Sequence, residues 1–303
     1  MPPVVAAVVV AVVAAVVAAP RVVPAGPPPE RSQLDILGAV LATAGISVLG
    51  YGLVEAPQRG WTSSITLSSL VIGALLLLLF VRTESRTAQP LLPLSFLASP
   101  RKAVALVAVF LGSAGITTIF FMLSLYLQQV RGFSPIEASA AFLPFGVALV
   151  ATGLSVARLV HRFGARAVTS GGLLVAAAGL ALLSRMGVDT PYLGVVLGGL
   201  LLFPVGVGCV FAGATVSATI DVPARQAGLA GAVVNTALEA GPTLGLAVLV
   251  TLASARTSAL SDAGAAPASA LTGGFGFGLV IAAVVFAIAA FGAARLLRPG
   301  PRK

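Results

Sequence analysis

Glu239 is one of nine acidic residues in 303 positions, and it stands about midway along an apolar run from Ala227 to Ser254 that is expected to be one helix and holds no basic residue. If that run crosses a bilayer, a charge within it costs several kcal/mol, and carboxylates that persist in such places face a cavity or take part in proton relays. Removal from water disfavours the charged form of a carboxyl, which is the property a proton-coupling group needs. The plainer alternative is a Glu that serves only helix packing, hydrogen-bonded to Asn235 one turn earlier. Pro242, with Gly241 and Gly245, is placed to bend the same helix.

Few other side chains could do chemistry. Gln128, Gln129 and Asn235 are the polar groups able to line a substrate path, with Phe120, Phe121 and Phe142 as apolar lining. Phenylalanines at such spacing are more often packing or lipid-facing groups than substrate contacts. Arg158, Arg162 and Arg166 form a basic turn together with His161 and Gly164. His161 is the one histidine and Cys209 the one cysteine, so a His-paired nucleophile, a thiolate metal site and a disulfide framework are all excluded. The only lysines are Lys102 and Lys303, and no glycine-rich phosphate loop followed by Lys-Ser or Lys-Thr occurs, which argues against direct ATP use. No enzyme, metal or cofactor is expected; a proton gradient is the expected energy source.

These residues sit in a chain that is 58% hydrophobic and 9% charged, with a mean hydropathy of +1.07. A soluble domain typically carries about 25% charged residues, and this chain has too few to cover a water-facing surface. A hydrocarbon core about 30 Å thick requires roughly 20 apolar residues per helix. Nine stretches qualify, at 3–19, 35–54, 64–81, 103–127, 138–157, 167–184, 191–219, 227–254 and 274–296. None alternates with period two, so the class is an all-α polytopic membrane protein and not a β-barrel. Stretch 3–19 has no basic residue before it and reads as a retained span in preference to a cleaved signal peptide. Glycines 194, 198, 206 and 208 allow close helix approach in the seventh stretch.

The net charge of +9 is distributed by loop. Arg21, Arg31, Arg82, Arg86, Arg101, Lys102, Arg158, Arg162, Arg166, Arg225, Arg295, Arg298, Arg302 and Lys303 fall on one side of the expected topology, and Arg59, Arg131, Arg185 and Arg256 on the other. Short cytoplasmic loops retain Lys and Arg, so the first set and the C-terminus are expected inside the cell, and the basicity is topological, with no nucleic acid as partner. Tyr51, Trp61, Tyr126 and Tyr192 fall at the expected outer interface, where aromatic side chains concentrate. Nine spans with an inside C-terminus put the N-terminus outside. The chain then reads as the later part of a longer protein.

Proline-rich connections divide the chain. Residues 1–33 give a transmembrane helix and a cytoplasmic linker, Pro20 to Gln33, that contains Pro27-Pro28-Pro29. Residues 34–102 give a central helix pair and a second cytoplasmic linker, Arg82 to Lys102, in which Leu91 to Phe96 can lie along the interface. Residues 103–303 give a six-helix bundle and basic tail, whose equal spacing suits a three-plus-three construction.

Several stretches resemble one family. Tyr126-Leu127-Gln128-Gln129-Val130-Arg131-Gly132-Phe133-Ser134-Pro135, with Phe142-Leu143-Pro144, is similar to the outer turn between the ninth and tenth helices of the fourteen-helix drug:proton antiporters of the major facilitator superfamily. Ala157 to Arg166 resembles the second copy of the superfamily's basic loop motif, between helices ten and eleven. Gln226 to Gly231, Asn235-Thr236 and Gly241 to Gly245 resemble the thirteenth helix; Leu34 to Ala39 and Gly60-Trp61 resemble the central pair. The family usually has Gly and Asp where Ala157 and His161 stand, and Arg-Gln where Leu238-Glu239 stand.

The resemblance implies the equivalent of helices six to fourteen. It also implies secondary active, proton-coupled efflux of small amphipathic organic compounds by alternating access in the plasma membrane, with Arg158, His161, Arg162, Gly164 and Arg166 as a gating loop. The expected partners are membrane lipids, the organic substrate, and a missing N-terminal half or a chain that supplies it. The competing expectation is a truncated, transport-incompetent membrane protein that acts only as a structural or interaction partner.

Overall fold

The computed structural model of the chain describes residues 35–87, 99–219, 222 and 227–297. The first stretch, the linker from Pro20, the segment Leu91 to Phe96, Arg225 and the basic tail from Arg298 lie outside the described residues. The chain divides into two units, Met1–Ile36 and Leu37–Lys303, and the larger one is described below.

Its helices are α1 (Ile36–Arg59), α2 (Ser64–Glu84), α3 (Pro100–Leu125), the short α4 (Pro135–Ala141), α5 (Leu143–Leu183), α6 (Leu197–Thr219), α7 (Ala227–Asp262) and α8 (Pro267–Leu296). π-Helical turns, Tyr126–Val130 and Tyr192–Val196, end α3 and precede α6. No strand occurs among the described residues. Local chemistry sets several starts. The Ser63 hydroxyl accepts from the Thr66 N–H at 3.3 Å to cap α2. Ser134 and Glu137 exchange hydrogen bonds in a capping box at α4, and Pro100, Pro135 and Pro267 occupy first-turn positions where a missing N–H costs nothing.

Among the described residues, seven segments are long and apolar enough to cross a bilayer. One of them, Pro135–Leu183, has 49 residues, about 73 Å if straight and more than twice the hydrocarbon thickness. It is not straight: Gly164 has φ 80° and ψ 155°, a conformation open essentially to glycine alone. The neighbours of α6 show the chain reversing there. A Cβ on Gly208 would meet Thr152 at 2.8 Å, whereas one on Gly206 would meet Ala176 Cα at 2.8 Å. Residues 152 and 176 would be about 36 Å apart on a continuous helix. The segment is therefore an antiparallel pair, α5a (143–163) and α5b (165–183), and supplies two crossings. These correspond to the stretches expected at 138–157 and 167–184.

The most extensive contact is between α5 and α6, followed by α3 with α7, α8 with α5, and α8 with α7. Of the four glycines read as close-approach positions, Gly198, Gly206 and Gly208 lie against neighbouring helices, while Gly194 faces open space. In α2 the buried residues are Thr66, Ser69, Gly73 and Glu84, while Leu75, Leu78 and Leu79 are exposed. Small and polar groups inside with leucines outside is the pattern of a helix whose solvent is lipid. The α1–α2 pair closes through Gly73, where a Cβ would lie 2.7 Å from the Leu49 backbone nitrogen. Its connection reaches the bundle through Trp61, whose indole N–H donates to the Thr251 hydroxyl at 3.1 Å.

Candidate functional site

The site is built on α7. Gly241 and Gly245 stand four apart and turn the same side of α7 to α3, where a Cβ on Gly241 would lie 3.0 Å from the Ala114 nitrogen. With that side fixed, helical periodicity carries Gly228, Ala232, Asn235, Thr236 and Glu239 away from α3, and all five are exposed. The Thr236 hydroxyl is satisfied locally by the Ala232 carbonyl at 2.9 Å. Asn235 and Glu239 make no side-chain hydrogen bond to each other or to any other described residue, so the Asn235-bonded packing role is not what the geometry shows.

One expectation about this helix is corrected. Glu239 is not midway along it, because α7 runs on to Asp262 and leaves Glu239 about a third of the way from Ala227. Its depth is nevertheless central: Gly241, two residues on, packs at Ala114, near the middle of the span Pro100–Val130. The helix continues through Pro242. The proline removes one backbone donor, that of the Leu238 carbonyl, immediately beside Glu239.

The other expected lining residues lie elsewhere. Gln128 and Gln129 are exposed in the π-helical turn, and the Gln128 amide donates to the Ser124 hydroxyl at 2.8 Å. The helical rise from Ala114 to Gln128 is about 21 Å, so the glutamines and Glu239 are not brought together. Phe120 stacks on Phe142 at 4.6 Å and meets Phe145 edge-on at 5.0 Å; the series continues to Phe203 at 6.4 Å and Phe286 at 5.9 Å. Phe120 and Phe142 thus begin an aromatic ladder that joins α3, α5, α6 and α8. Phe121 is 41% exposed beside it.

The end of the bundle near Tyr126 is closed by struts. The Tyr126 hydroxyl donates to the Gly187 carbonyl at 3.0 Å, Arg131 donates to the Val188 carbonyl at 3.0 Å, and the Tyr192 hydroxyl donates to the Ala141 carbonyl at 2.6 Å. Sequence placed these aromatics at an interface but could not show which connections they join. At the opposite end, Arg158, His161 and Arg162 are exposed and Arg166 is half-buried around Gly164. An apolar cavity of about 210 Å³ lies between α3, α7 and α8 and is lined by Ala114, Gly115, Gly245, Val248 and Phe286, on the Gly245 side of α7, away from Glu239. No group of three or more His, Cys, Asp or Glu that could hold a metal occurs among the described residues.

A bundle of apolar helices with small residues at its seams and one polar helix face at mid-depth defines a multi-pass α-helical membrane protein. The chain belongs to the major facilitator superfamily, whose family model matches residues 3–246. It is 38% identical to the puromycin resistance protein pur8 of Streptomyces alboniger, over 80% of this chain and 48% of that protein. It is 34% identical to the cephamycin export protein CmcT of Amycolatopsis lactamdurans, over 77% of this chain and 49% of that protein. A third relative, the multidrug resistance protein Stp of Mycobacterium tuberculosis, is 31% identical over 75% of this chain and 42% of that protein. All three are named for resistance or export, not for catalysis. The chain spans about half the length of the curated relatives it matches.

Proposed function

We propose that this chain forms one bundle of a secondary active exporter that extrudes small amphipathic organic compounds in exchange for protons by alternating access. The observation that carries the reading is the exposed face of α7, where Asn235, Thr236 and Glu239 stand together at the depth of Ala114. A carboxylate facing hydrocarbon there would cost several kcal/mol, so the face borders a water-filled path or a second bundle. Glu239 is the proton-exchanging group and Asn235 a substrate contact. Phe120 and Phe121, about 10 Å further along the bundle, and Gln128 and Gln129, about 20 Å further, line separate parts of the path. The turn around Gly164, with Arg158, His161, Arg162 and Arg166, gates the other end.

The opposing wall of the path comes from a second bundle, in a longer form of the chain or in a partner. Residues 103–303 act as the transporting bundle and 34–102 as an accessory pair. The protein resides in the plasma membrane with its C-terminus in the cytoplasm, as the loop charges favour.

The test is dye extrusion from drug-sensitive cells that express the chain, alone and together with an upstream bundle of a longer form. Extrusion that collapses with a protonophore and is lost in Glu239→Gln is expected. Extrusion that ignores the protonophore, or survives Glu239→Gln, overturns the coupling role.

A further inference from the structure

The Gly164 end of the bundle joins its basic turn to an apolar groove, and a gating role leaves the groove unexplained. Arg158, Arg162 and Arg166 fall within nine residues, and no carboxylate among the described residues lies within ion-pair distance of any of them. The chain itself has no Asp or Glu from Ala138 to Val188. Cations so close repel one another and favour any anion placed between them. The first turn of α5b, just past Gly164, adds the partial positive charge of a helix start.

Beside this turn a groove of about 410 Å³ opens between α5a, α5b and α6, walled by Leu159, Phe163, Gly171, Val175, Val205 and Cys209. Cation and groove are physically joined: the Arg162 guanidinium carbon lies 5.2 Å from the centroid of the Phe163 ring, and Phe163 is a groove wall. Arg158 is one turn from Arg162 and shares its side of α5a. Along α5b the groove follows Ala167 to Val175, about 12 Å of helix.

Basic groups at the rim over a hydrocarbon-walled groove match a molecule with an anionic head and an apolar tail. We propose that this end of the bundle binds an anionic glycerophospholipid, with its phosphate across Arg158 and Arg162 and the upper part of one acyl chain in the groove. Guanidinium suits the phosphate because its planar fork donates to two oxygens at once. A zwitterionic lipid offers the tail without net negative charge, and free phosphate offers the charge without the tail.

The test is native mass spectrometry of the full chain in mild detergent, titrated with dioleoyl-phosphatidylglycerol, dioleoyl-phosphatidylcholine or inorganic phosphate. Retained phosphatidylglycerol at tenfold or greater preference over phosphatidylcholine is expected. Arg158→Gln with Arg162→Gln weakens it about thirtyfold, at roughly fivefold per arginine. Gly171→Leu fills the groove and weakens it comparably without loss of thermal stability, because a Cβ at Gly171 meets nothing within 4 Å. Arg256→Gln, at the other end, has no effect. Arg158→Lys with Arg162→Lys retains part of the preference and keeps the test valid should the glutamine pair fail to fold. Equal binding of both lipids, displacement by equimolar inorganic phosphate, or full binding in Gly171→Leu overturns the proposal. None of these readouts depends on export.

Discussion

Trp61 and Thr251, 190 positions apart, are joined by a 3.1 Å hydrogen bond from indole to hydroxyl, and the same hydroxyl donates to the Ala247 carbonyl at 2.7 Å. This bond ties the α1–α2 connection to α7, the helix that carries Glu239.

Trp61→Phe and Thr251→Val should each lower stability by about 1 kcal/mol, the usual net worth of such a bond. The double variant should cost less than the two together, because both remove one interaction. Thermal unfolding in detergent of the four proteins completes the cycle. Strict additivity would show that the bond does not form.

Gly164 carries the whole reversal between α5a and α5b at φ 80° and ψ 155°. Gly164→Ala should cost about 1–3 kcal/mol, and Gly164→Asn should be no better, since asparagine tolerates a left-handed helical ψ but not an extended one. An asparagine variant as stable as the native protein would contradict the turn geometry.

Gly171 and Gly172 are sequence neighbours with opposite expectations. A Cβ at Gly171 meets nothing within 4 Å, whereas one at Gly172 would lie 2.6 Å from the Gly206 carbonyl oxygen and 2.8 Å from Cys209 Cβ. Gly171→Ala should be neutral or stabilising by up to ~1 kcal/mol, as for glycine removed from a helix interior. Gly172→Ala should destabilise by about 1–3 kcal/mol, since the helices must part to admit it. Paired melting curves separate the two.

Much of this architecture was legible in the sequence, because lipid imposes a simple rule: every apolar run long enough to cross becomes a helix. That rule placed α1 to α3 and both halves of α5, even though the reversal between those halves is a single glycine. It misjudged α7, where Ala255 to Asp262 continue the helix past the apolar run at no penalty in water and shift Glu239 off the midpoint. It could not separate Gly194, which meets open space, from Gly206, which touches a neighbouring backbone, since both are glycines in apolar runs. The aromatic ladder was hidden for the same reason: Phe145, Phe203 and Phe286 are three of 15 phenylalanines, and only the fold selects them. The distance between Gln128 and Glu239 was likewise unreadable until the helices had a common register.

The seam between α5b and α6 is set with glycines that lie against the facing helix. Gly172 faces the Gly206 carbonyl, Gly179 faces the Phe203 backbone, and Gly199 faces the Leu183 side chain and, behind it, the Gly179 carbonyl. A slip of one residue would drive a Cβ or a leucine into a space that only a glycine leaves free. These two helices therefore travel as one piece, a toothed rack with its partner already meshed, and any motion the bundle makes has to be taken up at its other joints.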